Sequence, residues 1–375
     1  MIGVLVVCGV LAALGCILLL RMGQQSAQRY GELMPQRFHI GHVPRLGGAA
    51  MFVACTGGWA WLALSERWFG VAHGIPFDGK LAGTWWIVTL IGVAPGVIED
   101  LTHQLRARSR FVTTALAAVL AVVLFGLAVP RTGIAVVDVF WQQAGWLQVA
   151  AAVLVLAGLP HAFNLIDGYN GLAGTVALIC CAAMAHVALQ LGDRELAAAL
   201  LVLAGATIGF LLLNYPHGLI FAGDGGAYLW GIVLGICSIL LVQRHPMVSP
   251  WFPILLLIYP TWEAVFSIYR KVARGQSPSL ADALHFHQLI YRRVVRQVFH
   301  DDHARRMLMR NNRTSPWLWG FTVLTVVPAV LFWRSTPILA AFTVLFVISY
   351  LWAYHSIVRF RVQRWLRRVR LLYPR

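Results

Sequence analysis

Acidic side chains are rare in this chain, so each one set among apolar residues demands a chemical reason. There are 14 Asp and Glu against 30 Lys and Arg in 375 residues. Glu99-Asp100 closes an apolar run, and a carboxylate pair at the edge of such a run points to function or to an interfacial pair beside Arg106, Arg108 and Arg110. Asn164-Leu165-Ile166-Asp167-Gly168-Tyr169-Asn170-Gly171 places polar groups at 164, 167 and 170, spaced for one helical face. Its glycines allow a ligand or another backbone to come close, although Asn, Asp and Gly also make ordinary turns. Asn214-Tyr215-Pro216 and Gly223-Asp224-Gly225-Gly226 follow. A lone carboxylate among glycines at a helix start suits a hard cation or a nearby pyrophosphate, or a helix cap. Finally, Asp282-Ala283-Leu284-His285-Phe286-His287-Gln288 runs into Arg292-Arg293. Such residues donate to phosphate oxygens. Zinc is the weaker reading, because no third His or Cys is suitably spaced.

The elements that must position these groups are long and apolar. Hydrophobic residues make up 59% of the chain, charged residues 12%, and the mean hydropathy is +0.72. Runs of this kind are transmembrane helices, since a bilayer leaves no unpaired backbone. This composition excludes an ordinary soluble enzyme, a disordered chain and a coiled coil. The expected fold is all-α and polytopic. Eleven spans are expected, with ten as the alternative count: 2–20, 46–64, 81–98, 111–129, 146–163, 171–191, 196–213, 227–242, 251–268, 317–333 and 338–358. Residues 1–358 form one transmembrane catalytic domain, with a loop over 269–316 carrying the His-x-His motif, and 359–375 form a basic tail. Cys8, Cys16, Cys55, Cys180, Cys181 and Cys237 lie inside apolar runs and read as packing residues. Glu263, inside a span, reads as a structural pairing partner of a loop arginine, or else as a support for the site. His161 and His186 read as packed or interfacial.

Basic residues give the orientation. With an outward N-terminus, 24 of the 30 Lys and Arg fall on the cytoplasmic side and six on the other. All the polar motifs above then share the cytoplasmic face. The expected location is a bacterial inner membrane, with a periplasmic N-terminus and a cytoplasmic C-terminus and active site. The basic excess faces anionic lipid headgroups or an anionic substrate, not nucleic acid.

Pro44-Arg45-Leu46-Gly47-Gly48, Glu99-Asp100, the Asn164–Gly174 stretch, Gly223-Asp224-Gly225-Gly226 and His285-Phe286-His287 occur in the order and topology of a known family. The chain resembles the polyprenyl-phosphate N-acetylhexosamine-1-phosphate transferases, relatives of phospho-N-acetylmuramoyl-pentapeptide transferase, over about residues 40–295. The resemblance implies transfer of a sugar 1-phosphate from a UDP-N-acetylhexosamine to undecaprenyl phosphate, with release of UMP. It implies Mg2+, or Mn2+ in its place. It also implies roles: Asp100, Glu99 and Asp167 catalytic, with Asp100 orienting or deprotonating the acceptor phosphate; Asp224 and Asp167 on the metal; Asn164, Asn170, Asn214, His285, His287, Arg293 and Arg106 on substrate. A homodimer is compatible with this reading. The sequence departs from the family pattern in three places. Glu99 stands where Asp is usual, Asn170 where a second Asp is usual, and Gln288 where a third His is usual. The missing triple His favours a UDP-N-acetylhexosamine donor over the pentapeptide donor. A transporter would place acids at mid-membrane with internal symmetry, and a CDP-alcohol phosphotransferase would need aspartates that are absent after Asp167-Gly168.

Overall fold

The computed structural model describes residues 1–22, 43–70, 74–277, 284–295 and 302–359. Asp282 and the tail beyond residue 359 lie outside them. The described chain is all helix and connection. The helices are α1 (Ile2–Met22), α2 (Gly47–Phe69), α3 (Gly79–Thr102), α4 (Ala107–Phe125), α5 (Ala135–Gln143), α6 (Gly145–Ile166) and α7 (Leu172–Gln190). They continue with α8 (Arg194–Asn214), α9 (Gly223–Arg244), α10 (Trp251–Leu256), α11 (Ile258–Val272), α12 (Phe286–Leu289), α13 (His303–Leu331) and α14 (Thr336–Val358). Ten of these are long and apolar enough to cross a membrane.

The run expected as one span over 251–268 is two helices, and the break has a local cause. Pro260 has no N–H to give the carbonyl of Leu256 four residues back, and its ring crowds that carbonyl. Leu257 leaves the helix there, and the freed Leu256 carbonyl accepts the Cys180 Sγ–H at 3.5 Å. The pair still runs from one end of the bundle to the other. At the start, the Ser249 N–H donates to the Trp333 carbonyl at 3.0 Å and Trp251 Nε1 donates to Thr132. At the other end, Glu263 meets the loop at His285. α13 begins fourteen residues before the expected 317, because its basic first turns stay helical although they are too polar for a bilayer interior.

α9 is the central post. Every residue from Gly223 to Val242 is buried, with α6, α3 and α2 packed around it. Close helix approach rests on small residues, as in other membrane bundles. A Cβ on Gly231 would overlap the backbone of Pro160 in α6, and one on Gly209 would overlap the Gly9 carbonyl of α1. The six cysteines are free and buried. Long apolar side chains of α1, α4 and α14 such as Val6, Leu14, Val123 and Ile348 face outward, as lipid-facing positions do.

Gly231→Ala adds one methyl against backbone that cannot give way. It is expected to destabilise the protein by about 1–3 kcal/mol. Gly158→Ala meets open space within the same helix pair and is expected to be neutral or slightly stabilising. Thermal unfolding of both variants in micelles checks this; equal midpoints would contradict the packing.

Candidate active site

The site sits where three chain segments meet the N-terminus of α9. The loop before α2 pairs with the loop before α9. Phe221 N–H donates to the Pro44 carbonyl, and Gly47 and Gly48 N–H donate to the Phe221 and Ala222 carbonyls at 2.9 and 2.8 Å. The exposed donors of the α2 start are therefore satisfied by the approach to α9. Gly223 has φ +71°, the left-handed region that suits glycine, and a Cβ there would strike Asp100. Gly96 of α3 and Gly48 of α2 both lie against the Gly225-Gly226 backbone.

Asp100, at the last turn of α3, caps α9 from outside. Its Oδ1 accepts the Asp224 N–H and its Oδ2 the Gly225 N–H, both at 3.0 Å. A carboxylate on helix donors and on the positive end of the macrodipole is a strong, charge-assisted arrangement. Arg45 bridges the two acids, with Nε 3.3 Å from Asp100 and Nη2 3.2 Å from Asp224. Arg110, from the first turn of α4, pairs with the other Asp224 oxygen. The aspartates are almost fully covered, at 2% and 4% side-chain exposure. The arginines keep 31% and 25%, so the cationic groups form the open lip and the acids its floor.

Asp167 follows α6 directly and keeps part of its surface open. Protein packs closely around the rest of it, and burial pushes its carboxyl up to about 7. Arg45 opposes that shift and the Asp224 charge adds to it. Glu99 does different work: its Oε2 accepts the Leu105 N–H at 2.7 Å and so shapes the turn into α4. Arg106 is exposed at the cap of α4, and Arg110, one turn on, is the arginine that enters the acidic cluster.

The asparagines are placed as clasps. Asn214 Oδ1 accepts the Gly171 N–H at 2.6 Å and its Nδ2 donates to Ile220. Asn170 donates its N–H to Asn311 and its Nδ2 to Asn312, while Ser315 donates to the Asn170 carbonyl at 2.6 Å. Both amides are thus committed to joining the turn after α6 to α8 and α13. Asn164 lies one turn before Asp167, half-buried, with its carbonyl accepting the Asp167 N–H.

The His-x-His loop docks on the same turn. His285 and His287 stack with ring centres 5.4 Å apart, and Tyr169 meets His287 edge-on. A Cβ on Gly168 would come within 3.1 Å of His287 Nε2, so the glycine there admits the ring. Arg293 turns elsewhere: it donates to the Ile357 and Val358 carbonyls at 2.9 and 2.6 Å, capping α14. His161 is packed between Phe111 and Tyr228 and bonded to Thr114. Arg45 and Arg110 do not stand out as site residues by their type and spacing. Arg45 does stand within a quoted motif, and Arg110 in a cluster of three arginines, which were the available signals.

The model of glycosyl transferase family 4 matches residues 82–242. The chain carries the signature of that family. The matched stretch holds Asp100, Asp167, Asp224 and Arg110 and stops before the His-x-His loop. A probable undecaprenyl-phosphate N-acetylglucosaminyl 1-phosphate transferase of Bacillus subtilis is 27% identical over 67% of this chain and 66% of its own length. A decaprenyl-phosphate N-acetylglucosaminephosphotransferase of Mycolicibacterium smegmatis is 27% identical over 78% of this chain and 73% of its own length. A phospho-N-acetylmuramoyl-pentapeptide-transferase of Moorella thermoacetica is 32% identical over 44% of this chain and 53% of its own length. The chain thus spans about half to two thirds of the Moorella and Bacillus relatives. Its likeness to such phosphotransferases supports an enzymatic role.

Two outcomes follow from the geometry. Asp100→Ala strands two buried N–H donors and removes one of the two acids on Arg45, which is expected to destabilise the fold by about 3–5 kcal/mol. Chemical unfolding in micelles checks this, and a change below about 0.5 kcal/mol would contradict the capping role. Asp167 holds its proton in the folded state up to about pH 7, whereas unfolded it releases it near 3.8. Its contribution to stability is therefore fully present below pH 3.8 and is lost as pH rises through about 7. The infrared difference between wild type and Asp167→Asn in metal-free buffer should contain a protonated carboxyl band that fades as pH rises through this range. A difference spectrum without that band would contradict the assignment.

Proposed function

We propose that the chain transfers an N-acetylhexosamine 1-phosphate from a UDP-sugar to undecaprenyl phosphate, releasing UMP and starting a lipid-linked cell-surface glycan. The observation that carries this reading is the lip of Arg45 and Arg110 over the floor of Asp100 and Asp224 at the buried start of α9. Donor diphosphate and acceptor phosphate are both anions, and the first task of such a site is to let them meet. Guanidinium groups that stay partly exposed while paired with aspartates can also bind phosphate oxygens. Fixing the reactants in one geometry then supplies much of the acceleration.

Among the described residues, no three His, Cys, Asp or Glu side chains converge as a cage for a metal ion. Magnesium does not need one: it commonly takes one or two carboxylates together with substrate phosphates and water. Asp167 lies within electrostatic reach of Asp224, and both Asp224 oxygens are paired with Arg45 and Arg110, so a bound cation would take the place of an arginine on one of them. Those two residues would hold Mg2+, which when bound neutralises phosphate charge. Asp100, with both oxygens engaged, positions the α9 start and Arg45. The second pKa of a phosphate monoester is about 6, so the acceptor needs little help to ionise. The preferred route is direct in-line attack by the lipid phosphate. An aspartyl intermediate would invert the β-phosphorus twice, and the stereochemical outcome separates the two routes. His285 and His287, stacked beside Gly168, would hold the departing nucleotide. The site end of the bundle would face the cytoplasm, as supported by the 24-to-6 distribution of basic residues.

Purified protein incubated with undecaprenyl phosphate, magnesium and a panel of UDP-sugars is expected to release UMP with one UDP-N-acetylhexosamine. Asp224→Asn should reduce that release by at least 100-fold, within the range seen when electrostatic groups are removed from active sites. Release from the UDP-N-acetylmuramoyl-pentapeptide alone would assign the peptidoglycan donor instead. Full activity of Asp224→Asn would remove the residue from the site.

A further inference from the structure

Glu263 is fully buried on α11, and a carboxylate at such a depth persists only where its bonds are met. They are met by the His-x-His loop and by α14. Oε1 accepts the Phe286 N–H at 3.0 Å and lies 3.3 Å from His285 Nδ1. Oε2 accepts the Tyr350 hydroxyl at 2.6 Å. A carboxylate has only acceptors to offer, so the His285 nitrogen facing it must be the protonated one. We propose that Glu263 is a positioning residue for the transfer reaction: it locks His285 with its proton on Nδ1 and thereby aims Nε2 at the phosphate-bearing substrate.

This inference rests on the transferase reading above and extends it one layer outward. Three independent features support a built device. The same Oε1 receives both the ring and the backbone N–H of the next residue, so ring direction and loop position are fixed together. The His285 ring stacks on His287 with only 10° between planes, so rotation of one ring would collide with the other. His287 in turn meets Tyr169, Tyr169 stacks on Tyr291, and the Arg310 guanidinium lies 4.2 Å over Tyr291. Tyr169, inside this column, stands two residues after Asp167 in the chain. The titratable and charged groups facing the Glu263–His285 pair are Tyr259 and Arg270 on α11, Tyr350 on α14, His287 on α12 and Tyr169 on the turn after α6. From α13 the neighbour of this segment is Phe321.

The choice of nitrogen matters because the two ring positions differ in function. With Nδ1–H on Glu263, Nε2 can accept a proton from, or when protonated donate to, a phosphate oxygen. With the opposite tautomer, Nε2–H is fixed as a donor and Nδ1 faces a carboxylate as a second acceptor, which is repulsive. Supporting partners of this kind typically change activity by about 10–100-fold when removed.

The test uses the full-length protein in micelles with 15N-histidine labelling. The His285 resonances are assigned by their loss in His285→Gln. Wild type is expected to show a protonated Nδ1, and Glu263→Gln, which keeps an acceptor oxygen in place, is expected to keep it. Glu263→Met should lose that signature and lower kcat for UMP release by about 10–100-fold with KM for the lipid acceptor little changed. Its effect should not add to that of His285→Gln in a double-mutant cycle. A protonated Nδ1 retained in Glu263→Met, or full additivity of the two substitutions, would overturn the proposal. Should Glu263→Met fail to fold, an Nε2-protonated His285 in wild type or a lost Nδ1 signature in Glu263→Gln would overturn it equally. Absence of UMP release by wild type would sink the transferase reading and leave the spectroscopic result to judge the Glu263–His285 pairing separately.

Discussion

The carboxylate of Asp100 on the first N–H groups of α9 is the interaction on which the remainder of the site depends. A helix start leaves four donors without intrahelical partners, and here that start is buried in the middle of a bundle. The cap residue Ala222 offers only a methyl group, so no local side chain caps these donors. The acid arrives instead from α3, 124 residues earlier in the chain. Its arrival ties α3 to α9, and its negative charge brings Arg45 into place. Arg45 in turn sets Asp224, and Asp224 draws Arg110 from α4. One capping interaction therefore organises four segments.

This dependence explains the glycines around it. Gly48, Gly96, Gly223 and Gly225 each stand where a Cβ would meet backbone or the Asp100 side chain. Asp100 can reach the α9 N–H groups only because α2 and α3 lie directly against the α9 backbone. The asparagine clasps act at the next level. Asn170 and Asn214 hold the turn that carries Asp167, and α13 joins through Asn311, Asn312 and Ser315. The His-x-His loop then lands on Gly168. Acids, arginines and imidazoles are thus collected from segments far apart in sequence at one end of the bundle.

Much of the fold was legible in the sequence because a bilayer imposes simple rules. Apolar runs placed α1 and α7 to within two residues. The expectations failed where polarity and helicity part company. α13 continues through Arg305, Arg306 and Arg310, since those turns need only to be helical and not to be apolar. α5, short and partly polar, was hidden inside a connection. The break at Leu257 was encoded in Pro260 but masked by an unbroken apolar run. For the candidate site, residue types single out segments that the fold brings to one end of the bundle, yet they do not say which atoms face which. Asn170 and Asn214 read as substrate ligands because polar side chains in a glycine-rich turn look available, whereas both are bonded to protein. Arg45 with Asp224 and Arg110 with Asp224 are pairings across 179 and 114 residues, beyond any local pattern. Glu263 reads as a pairing residue or a support for the site, and its partners are His285, the Phe286 N–H and Tyr350.

The central claim is that the phosphates meet at the start of α9, beneath Arg45 and Arg110. Photolabelling tests it most directly. A photoreactive UDP-N-acetylhexosamine, irradiated with the purified protein and magnesium, is expected to label peptides spanning 99–110, 164–171 or 221–226, and excess UDP should prevent the labelling. Labelling confined to the opposite end of the bundle, around Arg131, Asp193 or His245, would contradict the account.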